Sequence, residues 1–285
     1  LVSFILIVPF LQKENIFSIN RPLIMGIVNV TPDSFSDGGL YLSTQKAIAH
    51  ARNLIEEGAD ILDIGGESTR PGSQAVSINE EIDRVIPALE ALLSTGTPIS
   101  IDTSKPQVMK CAIEAGAFMI NDVNALRSPG ALEIVAENNH VRVCLMHMQG
   151  TPQNMQENPQ YKEILSEVKE FLQKRIDAAK AMGISQDRLI IDPGFGFGKT
   201  LRNNFELLNH LDTFTSLEVP VLAGISRKSM LGAITGNNVN CRIHESVAAA
   251  LLAVIKGARI IRVHDVKASK DTLAIYHAMK NYHAQ

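Results

Sequence analysis

The chain has few of the features that mark several common functional classes. Its 285 residues include three cysteines, Cys111, Cys144 and Cys241, which are widely spaced and form no CxxC pair. This pattern predicts buried free thiols in a reducing compartment, so we expect a cytoplasmic protein. No run of Lys and Arg occurs, and the net charge is −3, which argues against a nucleic-acid partner.

Metal, hydrolase and membrane signals are also missing. Cys144 and His147 stand without further ligands at zinc spacing, no HExxH occurs, and no GxSxG supports a serine hydrolase. The apolar start LVSFILIVPFL has about ten residues, whereas a membrane span needs roughly 20, and no basic segment precedes it. We therefore expect no membrane contact, and we expect residues 1–20 to be an N-terminal extension, a strand or hairpin that covers the base of the domain.

Asp192 follows a short apolar run and opens a glycine-rich loop, in the stretch RLIIDPGFGFGKT. A P-loop would need glycine at Pro193, and a dinucleotide fingerprint would need glycine at Lys199, so both motifs are excluded. The stretch predicts a buried parallel strand that ends in an acid, beside a loop that carries Phe195 and Phe197.

Eight apolar runs alternate with segments of helical periodicity from residue 23 onward. The runs are 23–30, 61–64, 99–101, 118–120, 141–146, 189–191, 221–223 and 260–263. The helical candidates are 44–57, 78–93, 106–115, 129–138, 161–182, 203–211, 245–256 and 267–283. This alternation predicts an α/β fold, a single-domain (β/α)₈ TIM barrel over residues 21–285, with a doubly wound open sheet as the alternative.

Active sites of such barrels lie at the carboxyl ends of the strands, and here almost every end is polar. The residues at these ends are Asn29, Glu67, Thr69, Arg70, Asp102, Asn121, Asp122, Met146, His147, Asp192, Ser226, Arg227, Lys228, Ser229, Arg262, His264 and Asp265. One subset, Asp102, Asn121, Asp192 and Lys228, suits a flat heterocycle with several N–H and C=O groups. Another, Asn29, Arg70, Lys228, Arg262 and His264, suits phosphate oxygens.

Each of these residues also has a simpler explanation. Asp102 could cap the next helix, Asn121 and Asp122 could form a turn, and Arg262 with His264 could be a surface pair. Their coincidence at one end of one barrel favours a site. The long polar loops TPDSFSDGG and GGESTRPGS have the composition of mobile lids, and a Mg²⁺ ion held mainly by substrate phosphates is compatible with the sequence.

The motifs then resemble one family closely. They are MGIVNVTPDSFSDGG (25–39), DIGGESTRPG (63–72), IDTSKP (101–106), IND (120–122), CLMHMQGTPQNMQ (144–156), DPGFGFGK (192–199), GISRKSM (224–230) and RVHDV (262–266). In this order they are similar to the bacterial dihydropteroate synthase family of pterin-binding barrels. The resemblance implies a transferase that condenses 6-hydroxymethyl-7,8-dihydropterin diphosphate with p-aminobenzoate in folate synthesis, the step that sulfonamides inhibit. It also implies a homodimer formed through the helices opposite the active site.

The resemblance further implies roles for individual residues. Those expected to bind the pterin are Asp102, Asn121, Val123, Met146, Asp192 and Lys228. Those expected near the aminobenzoate or elsewhere in the substrate site are Phe35, Thr69, Arg70, Pro71, Phe197 and Ser229. Arg262, His264 and Asn29 would hold the diphosphate, and Asn29 with Asp37 would bind Mg²⁺. The residues expected to act in catalysis are Asp37, Arg70, Asp102, Lys228 and Arg262.

The implied reaction needs little base catalysis, because a neutral aniline nitrogen is already nucleophilic. Mg²⁺, Arg262, His264 and Lys228 would stabilise the leaving diphosphate, while Asp102 and Asp192 would stabilise positive charge on the pterin. In the family the pathway is thought to be dissociative, with two closing loops that exclude water. Three alternatives stay open: a pterin-binding methyltransferase, a catalytically idle pterin-binding paralogue and an unrelated phosphate-binding aldolase.

Overall fold

The barrel is formed by eight parallel strands in the computed structural model, which describes residues 16, 21–30, 39–69 and 72–282. The strands are β1 Leu23–Asn29, β2 Ile61–Gly65, β3 Ile99–Asp102, β4 Met119–Asp122, β5 Arg142–Met146, β6 Leu189–Asp192, β7 Leu222–Ala223 and β8 Ile260–Val263. They pair in the order β6-β5-β4-β3-β2-β1-β8-β7. A parallel bridge between Ile191 and Val221 joins β6 to β7 and closes the ring. The predicted TIM barrel is confirmed, with every strand at its predicted place.

Burial on both faces explains why the strands read as continuous apolar runs. One cluster lies between the strands and the surrounding helices, and a second fills the lower barrel interior with Leu23, Met25, Ile61, Met119 and Ile260 among its members. Side chains alternate between the two faces along each strand, so successive residues pack into different clusters. The interior is therefore packed with apolar side chains at its base, below the polar residues at the carboxyl ends of the strands.

Helices follow the strands and cover the outside of the barrel. They are α1 Gly39–Glu57, α2 Ile78–Leu93, α3 Pro106–Glu114, α4 Ala131–Ala136, α5 Ile164–Ala181, α6 Leu201–Asn209, α7 Ser229–Thr235, α8 Ile243–Ile255 and α9 Val266–Asn281. The helix α6 begins with a capping box in which Thr200 accepts from the amide of Asn203 and the Asn203 side chain reaches back. The list of predicted helices omitted α7, because seven residues that include Gly232 are too few to show helical periodicity.

Some predictions have a different outcome. The N-terminal strand or hairpin lies outside the described residues, apart from half-buried Ile16, which packs against the inner cluster. The cysteines are free as predicted, but the prediction that all are buried was wrong. Cys144 is buried in β5, Cys111 is half-buried, and Cys241 is exposed because it lies in a short surface turn after α7. None of the helices in the described ranges has the length and apolar character needed to cross a membrane.

Candidate active site

Strand register brings the polar ends together at one rim of the barrel, which we call the mouth. Asn29 pairs with Gly65, Gly65 with Asp102, and Asp102 with Asn121, so these residues lie at the same level on four neighbouring strands. On the far side of the ring, Met146 pairs with Asp192 in the same way. The rule that strand ends form the site therefore places the predicted ring-binding residues around one opening.

Arg262 lies at the centre of a charged network across the mouth. Its Nε donates to Oδ2 of Asp63 at 2.5 Å, and its Nη2 donates to Oδ2 of Asp102 at 2.8 Å. The same oxygen of Asp63 accepts from Nδ2 of Asn121 at 3.0 Å. The network thus joins Arg262 and Asn121 through Asp63, and Arg262 extends it to Asp102. Asp63 is fully buried, and sequence reasoning missed it.

Burial dominates the electrostatics of this network. Burial raises the pKa of Asp102 to about 7. The charge of Arg262 lowers this pKa, and the charge of Asp63 raises it. Burial opposes the charge on Arg262, but Asp63 and Asp102 together raise the pKa of its guanidinium further. Arg262 is therefore a fixed cation, while Asp102 exchanges its proton near neutral pH and can respond to the N–H groups of a bound ring.

Asp192 and Lys228 form the opposite side of the mouth. Asp192 accepts the amide of Gly194 on Oδ1 at 2.7 Å, and burial raises the pKa of its carboxyl group, which Lys228 counteracts most. Lys228 donates to the carbonyl of Phe195 and lies 4.7 Å from the centre of the Phe197 ring. Burial lowers the pKa of Lys228 to about 8, so its ammonium group can lose a proton within the working range of an enzyme.

An apolar cluster borders this polar opening. Val123, Met146, Met148 and Met155 are buried together, and Phe197 packs against them. Val123 and Met146 lie directly after β4 and at the end of β5, beside Asn121 and opposite Asp192 in the strand register. A flat ring placed in the mouth would meet hydrogen-bonding groups at its edge and these side chains on its face.

The residue after the eighth strand contributes an imidazole at the edge of the mouth. Nδ1 of His264 lies 3.0 Å from Oγ of Ser226, which also accepts the His264 amide at 3.2 Å. Ser229 begins α7 directly after Lys228. The contacts of Ser226 with His264 hold the residues after β7 to those after β8, two residues along the chain from Arg262.

Some strand-end residues do not face the mouth. Asp122 accepts the amides of Asn124 and Leu126, each at 2.7 Å, so it shapes a turn as the simpler reading proposed. Arg227 is paired with Asp265 through two hydrogen bonds. Glu67 accepts from Lys105 at 2.8 Å at the base of the β2–α2 loop. These polar residues stabilise the loops, and the site is smaller than the set of strand-end residues.

Part of the predicted site lies outside the described residues. Phe35, Asp37, Arg70 and Pro71 belong to this part, so their predicted roles stay predictions. Asn29 is exposed at the end of β1, and half-buried Thr69 is the last described residue before position 70. Within the described ranges no group of three or more His, Cys, Asp or Glu side chains is placed to hold a metal ion.

Comparison with known proteins agrees with this geometry. Residues 25–264 match the family model described as pterin binding enzyme. A dihydropteroate synthase of Neisseria meningitidis serogroup C is 51% identical over 265 residues, 92% of this chain and 94% of the relative. The Xanthomonas albilineans dihydropteroate synthase solved with 4-aminobenzoic acid has a TM-score of 0.86 at 53% identity, covering 92% of this chain and 94% of that one. The same enzyme solved with 7,8-dihydropteroate has a TM-score of 0.82 at 50% identity and the same coverage.

Proposed function

The chain belongs to the dihydropteroate synthase family of pterin-binding enzymes, and we propose that it condenses 6-hydroxymethyl-7,8-dihydropterin diphosphate with p-aminobenzoate, giving 7,8-dihydropteroate and diphosphate. It is a transferase of folate biosynthesis. The observation that carries the proposal is the mouth itself, where Asp102 and the amide of Asn121 lie at one level. Arg262 bonds to Asp102, and Lys228 lies near Asp192. That arrangement suits a heterocycle that carries an anionic leaving group.

The pterin ring is proposed to bind at its edge and on its face. Asp102, Asn121 and Asp192 offer acceptors and an amide donor to the ring's N–H and C=O groups, and Lys228 offers a further donor. Val123 and Met146 pack against the ring, as their place in the apolar cluster supports. Buried carboxylates with raised pKa values gain most from such donors, because an ionised carboxylate without partners is costly in the interior.

Bond breaking is proposed to depend on charge stabilisation. When the C–O bond to the diphosphate breaks, negative charge grows on the leaving group and positive charge grows on the pterin methylene. Arg262, His264 and Lys228 would stabilise the anion, while Asp102 and Asp192 would stabilise the cation. The fixed charge of Arg262 requires no reorganisation during the step, since Asp63 and Asp102 already hold its guanidinium.

The arylamine is proposed to attack from the side of Phe197 and Ser229. Its neutral nitrogen forms the new C–N bond and then loses a proton, so no strong base is needed. Thr69 would complete this part of the site. It would act together with three residues outside the described ranges, Phe35, Arg70 and Pro71. Closing loops would exclude water, which would otherwise hydrolyse the reactive pterin.

We propose that Mg²⁺ is the cofactor. Asn29 fits this ion, because its exposed amide at the end of β1 presents an oxygen ligand, and Mg²⁺ typically takes one or two protein oxygens and completes its shell with water and substrate phosphates. Asp37 would be the second ligand. When bound, the ion would neutralise charge on the diphosphate. Chelation should abolish turnover, and Asn29→Ala should raise the Mg²⁺ concentration needed for half-maximal rate; an unchanged requirement would contradict the assignment.

A direct assay tests the reaction. Purified protein, pterin diphosphate and Mg²⁺ should release diphosphate only slowly until p-aminobenzoate is added, and mass spectrometry should then detect dihydropteroate. A sulfonamide should compete with p-aminobenzoate. Fast diphosphate release that does not depend on the arylamine would indicate a hydrolase, and release without any C–N bond formation would exclude the proposed transfer.

A homodimer is also proposed, with α8 and α9 at the interface. These helices are adjacent and expose apolar side chains. Leu252 and Ile255 are exposed on α8, and Met279 and the 74% exposed Ile275 are on α9. Exposed apolar groups of this kind are typical of subunit contacts. Light scattering should give twice the monomer mass for the wild type and the monomer mass for Leu252→Glu. The matched control is Leu201→Glu on α6, which should remain dimeric.

A cytoplasmic location is proposed on the basis of the thiols. All three cysteines are free, including exposed Cys241, as expected in a reducing compartment. Cell fractionation should recover the protein with cytoplasmic markers, and recovery with a membrane or an exported fraction would contradict the proposal.

A further inference from the structure

The loop after β6 is held by side chains along its whole length. We call residues 193–199 the glycine loop. The carbonyl oxygens of its four central residues each accept a bond from a side chain: Phe195 from Lys228, Gly196 from Gln156, Phe197 from Lys199 and Gly198 from Tyr161. Side-chain bonds to four successive loop carbonyls indicate a rigid platform.

The same loop lies in direct contact with the chain that follows β5. A Cβ atom added at Gly194 would lie 1.9 Å from the carbonyl oxygen of His147, and one added at Gly198 would lie 2.5 Å from the carbonyl oxygen of Gln149. Both glycines have positive φ, at +73° and +62°. The glycines therefore serve backbone contact between two loops, which explains a pattern that fits no nucleotide-binding motif.

Lys199 contacts residues of both loops. Its Nζ lies 2.9 Å from Nδ1 of His147, 3.3 Å from the carbonyl oxygen of His147 and 3.0 Å from the carbonyl oxygen of Phe197. Lys199 is 3% exposed and His147 is 6% exposed. The His147 ring also packs edge-on against Phe171, with ring centres 4.9 Å apart. Lys199 contacts three polar atoms and, among the residues that the structure describes, no carboxylate within hydrogen-bonding distance. Its burial needs an explanation, since burying an amine without benefit is costly.

The three contacts are satisfied in either protonation state of the amine. An ammonium group donates to both carbonyls and to Nδ1, whereas a neutral amine donates to both carbonyls and accepts from Nδ1–H. Burial lowers the pKa of Lys199 well below its usual value and lowers the pKa of His147 to about 2, so His147 stays uncharged. The connection is thus geometric and does not depend on a titrating charge.

We propose that Lys199, paired with His147, is a positioning residue for the arylamine substrate. By holding the Phe197 carbonyl to the chain after β5, it fixes the Phe197 ring beside Lys228, where the arylamine is expected to pack. Of the proposed pterin-binding groups, Asp102 and Asn121 lie on other strands. Asp192 and Lys228 do bond to the glycine loop, but at residues other than Phe197. This inference rests on the proposed function, since it assigns Phe197 to the arylamine side.

The test compares substrate constants in Lys199→Met, which keeps the apolar stem and removes Nζ. We expect the KM for p-aminobenzoate to rise about tenfold, with kcat and the affinity for the pterin within about threefold of the wild type. Tyr161→Phe is the matched control, because it removes one bond from the neighbouring Gly198 carbonyl; its KM should stay within about twofold. Hydrogen exchange at residues 194–199 should accelerate more in Lys199→Met than in Tyr161→Phe.

Several outcomes would overturn the inference. They are an unchanged KM for p-aminobenzoate in Lys199→Met, equal loss of both substrates, or the same loss in Tyr161→Phe. If Lys199→Met does not fold, Lys199→Gln keeps one donor for the Phe197 carbonyl and should show a smaller rise of the same kind. Failure of wild-type protein to release diphosphate would instead reject the proposed function, and the exchange rates would still decide whether Lys199 holds the loop.

Discussion

Arg262 and Asn121 share one oxygen atom of Asp63, with the guanidinium at 2.5 Å and the amide at 3.0 Å. Asp63 is in the middle of β2 and fully buried, so it reaches the mouth from beneath. It therefore sets both the position of a cation proposed for the leaving group and the orientation of an amide proposed for the ring. Removing its charge should affect both functions together.

Asp63→Asn is predicted to lower kcat/KM for the pterin substrate by about a hundredfold and to destabilise the fold by about 2 kcal/mol. The reason is that Arg262 loses one of its two charged partners, and the new amide competes with Asn121 as a donor. Steady-state kinetics and urea unfolding measure the two effects.

The matched control for this change is Asp60→Asn. Asp60 is likewise paired with an arginine, from which it accepts two bonds, but this residue, Arg21, lies at the other end of β1 and the pair is partly exposed. This variant should lose little stability and no activity. Equal kinetic losses in both variants would show that the effect of Asp63 is general destabilisation and not control of Arg262.

Asp102→Asn is predicted to weaken pterin binding at least about tenfold while leaving stability at pH 8 equal to or above that of the wild type. The pKa of Asp102 is raised to about 7 from 3.8, so ionised Asp102 costs stability above pH 7. As pH falls from 7 towards 4, folded Asp102 is protonated first and this cost disappears. The advantage of the variant should therefore shrink over that range, as urea unfolding at pH 8 and pH 5 would show; a variant less stable at pH 8 would contradict the argument.

The fold was predictable because each strand is a short apolar run followed by a polar end, a pattern that tertiary contacts do not alter. The same rule located Asp102, Asn121 and Asp192 at the mouth, since they are the first polar residues after such runs. The rule also listed Asp122 among the strand ends, although neither predicted subset included it, and its carboxylate accepts the amides of its own turn.

Two contributors could not be found in this way. Asp63 lies within ILDIG, two residues before the strand ends, and only the inward alternation of side chains brings it to Arg262, 199 positions later. A charge inside an otherwise apolar strand was the available signal. Lys199 gave no such signal, because its partner His147 is 52 positions away and their contact depends on how closely two loops pack.

The pH dependence of catalysis should show an alkaline limb from Lys228. Burial lowers the pKa of this lysine to about 8, so raising the pH from 8 to 9 removes the ammonium from most of the free enzyme. We expect kcat/KM for the pterin substrate to fall about tenfold per pH unit above that value, because kcat/KM reports the free enzyme. A profile that stays flat to pH 10 would contradict the role of the charged form.

Stability should change in the opposite direction over the same range. The pKa of Lys228 lies below its usual 10.5, so the folded protein releases the proton earlier than the unfolded chain. The cost of burying the ammonium is present in full below pH 8 and is relieved between pH 8 and 10.5. The wild type should therefore gain stability relative to Lys228→Met as pH rises through this window, which urea unfolding of both proteins can measure.

Gly194→Ala tests whether the glycine loop depends on close backbone contact. The new Cβ would meet the carbonyl oxygen of His147 at 1.9 Å in a residue with φ of +73°, so the two loops would have to separate. Gly130→Ala is the matched control, because φ is +88° there and nothing lies within 4 Å of the added atom. Positive φ alone should cost about 1 kcal/mol in the control, and the clash should add at least about 2 kcal/mol at Gly194. Equal losses of unfolding free energy in the two variants would mean that the loop moves at little cost. The rigid platform inferred for Phe197 would then be contradicted.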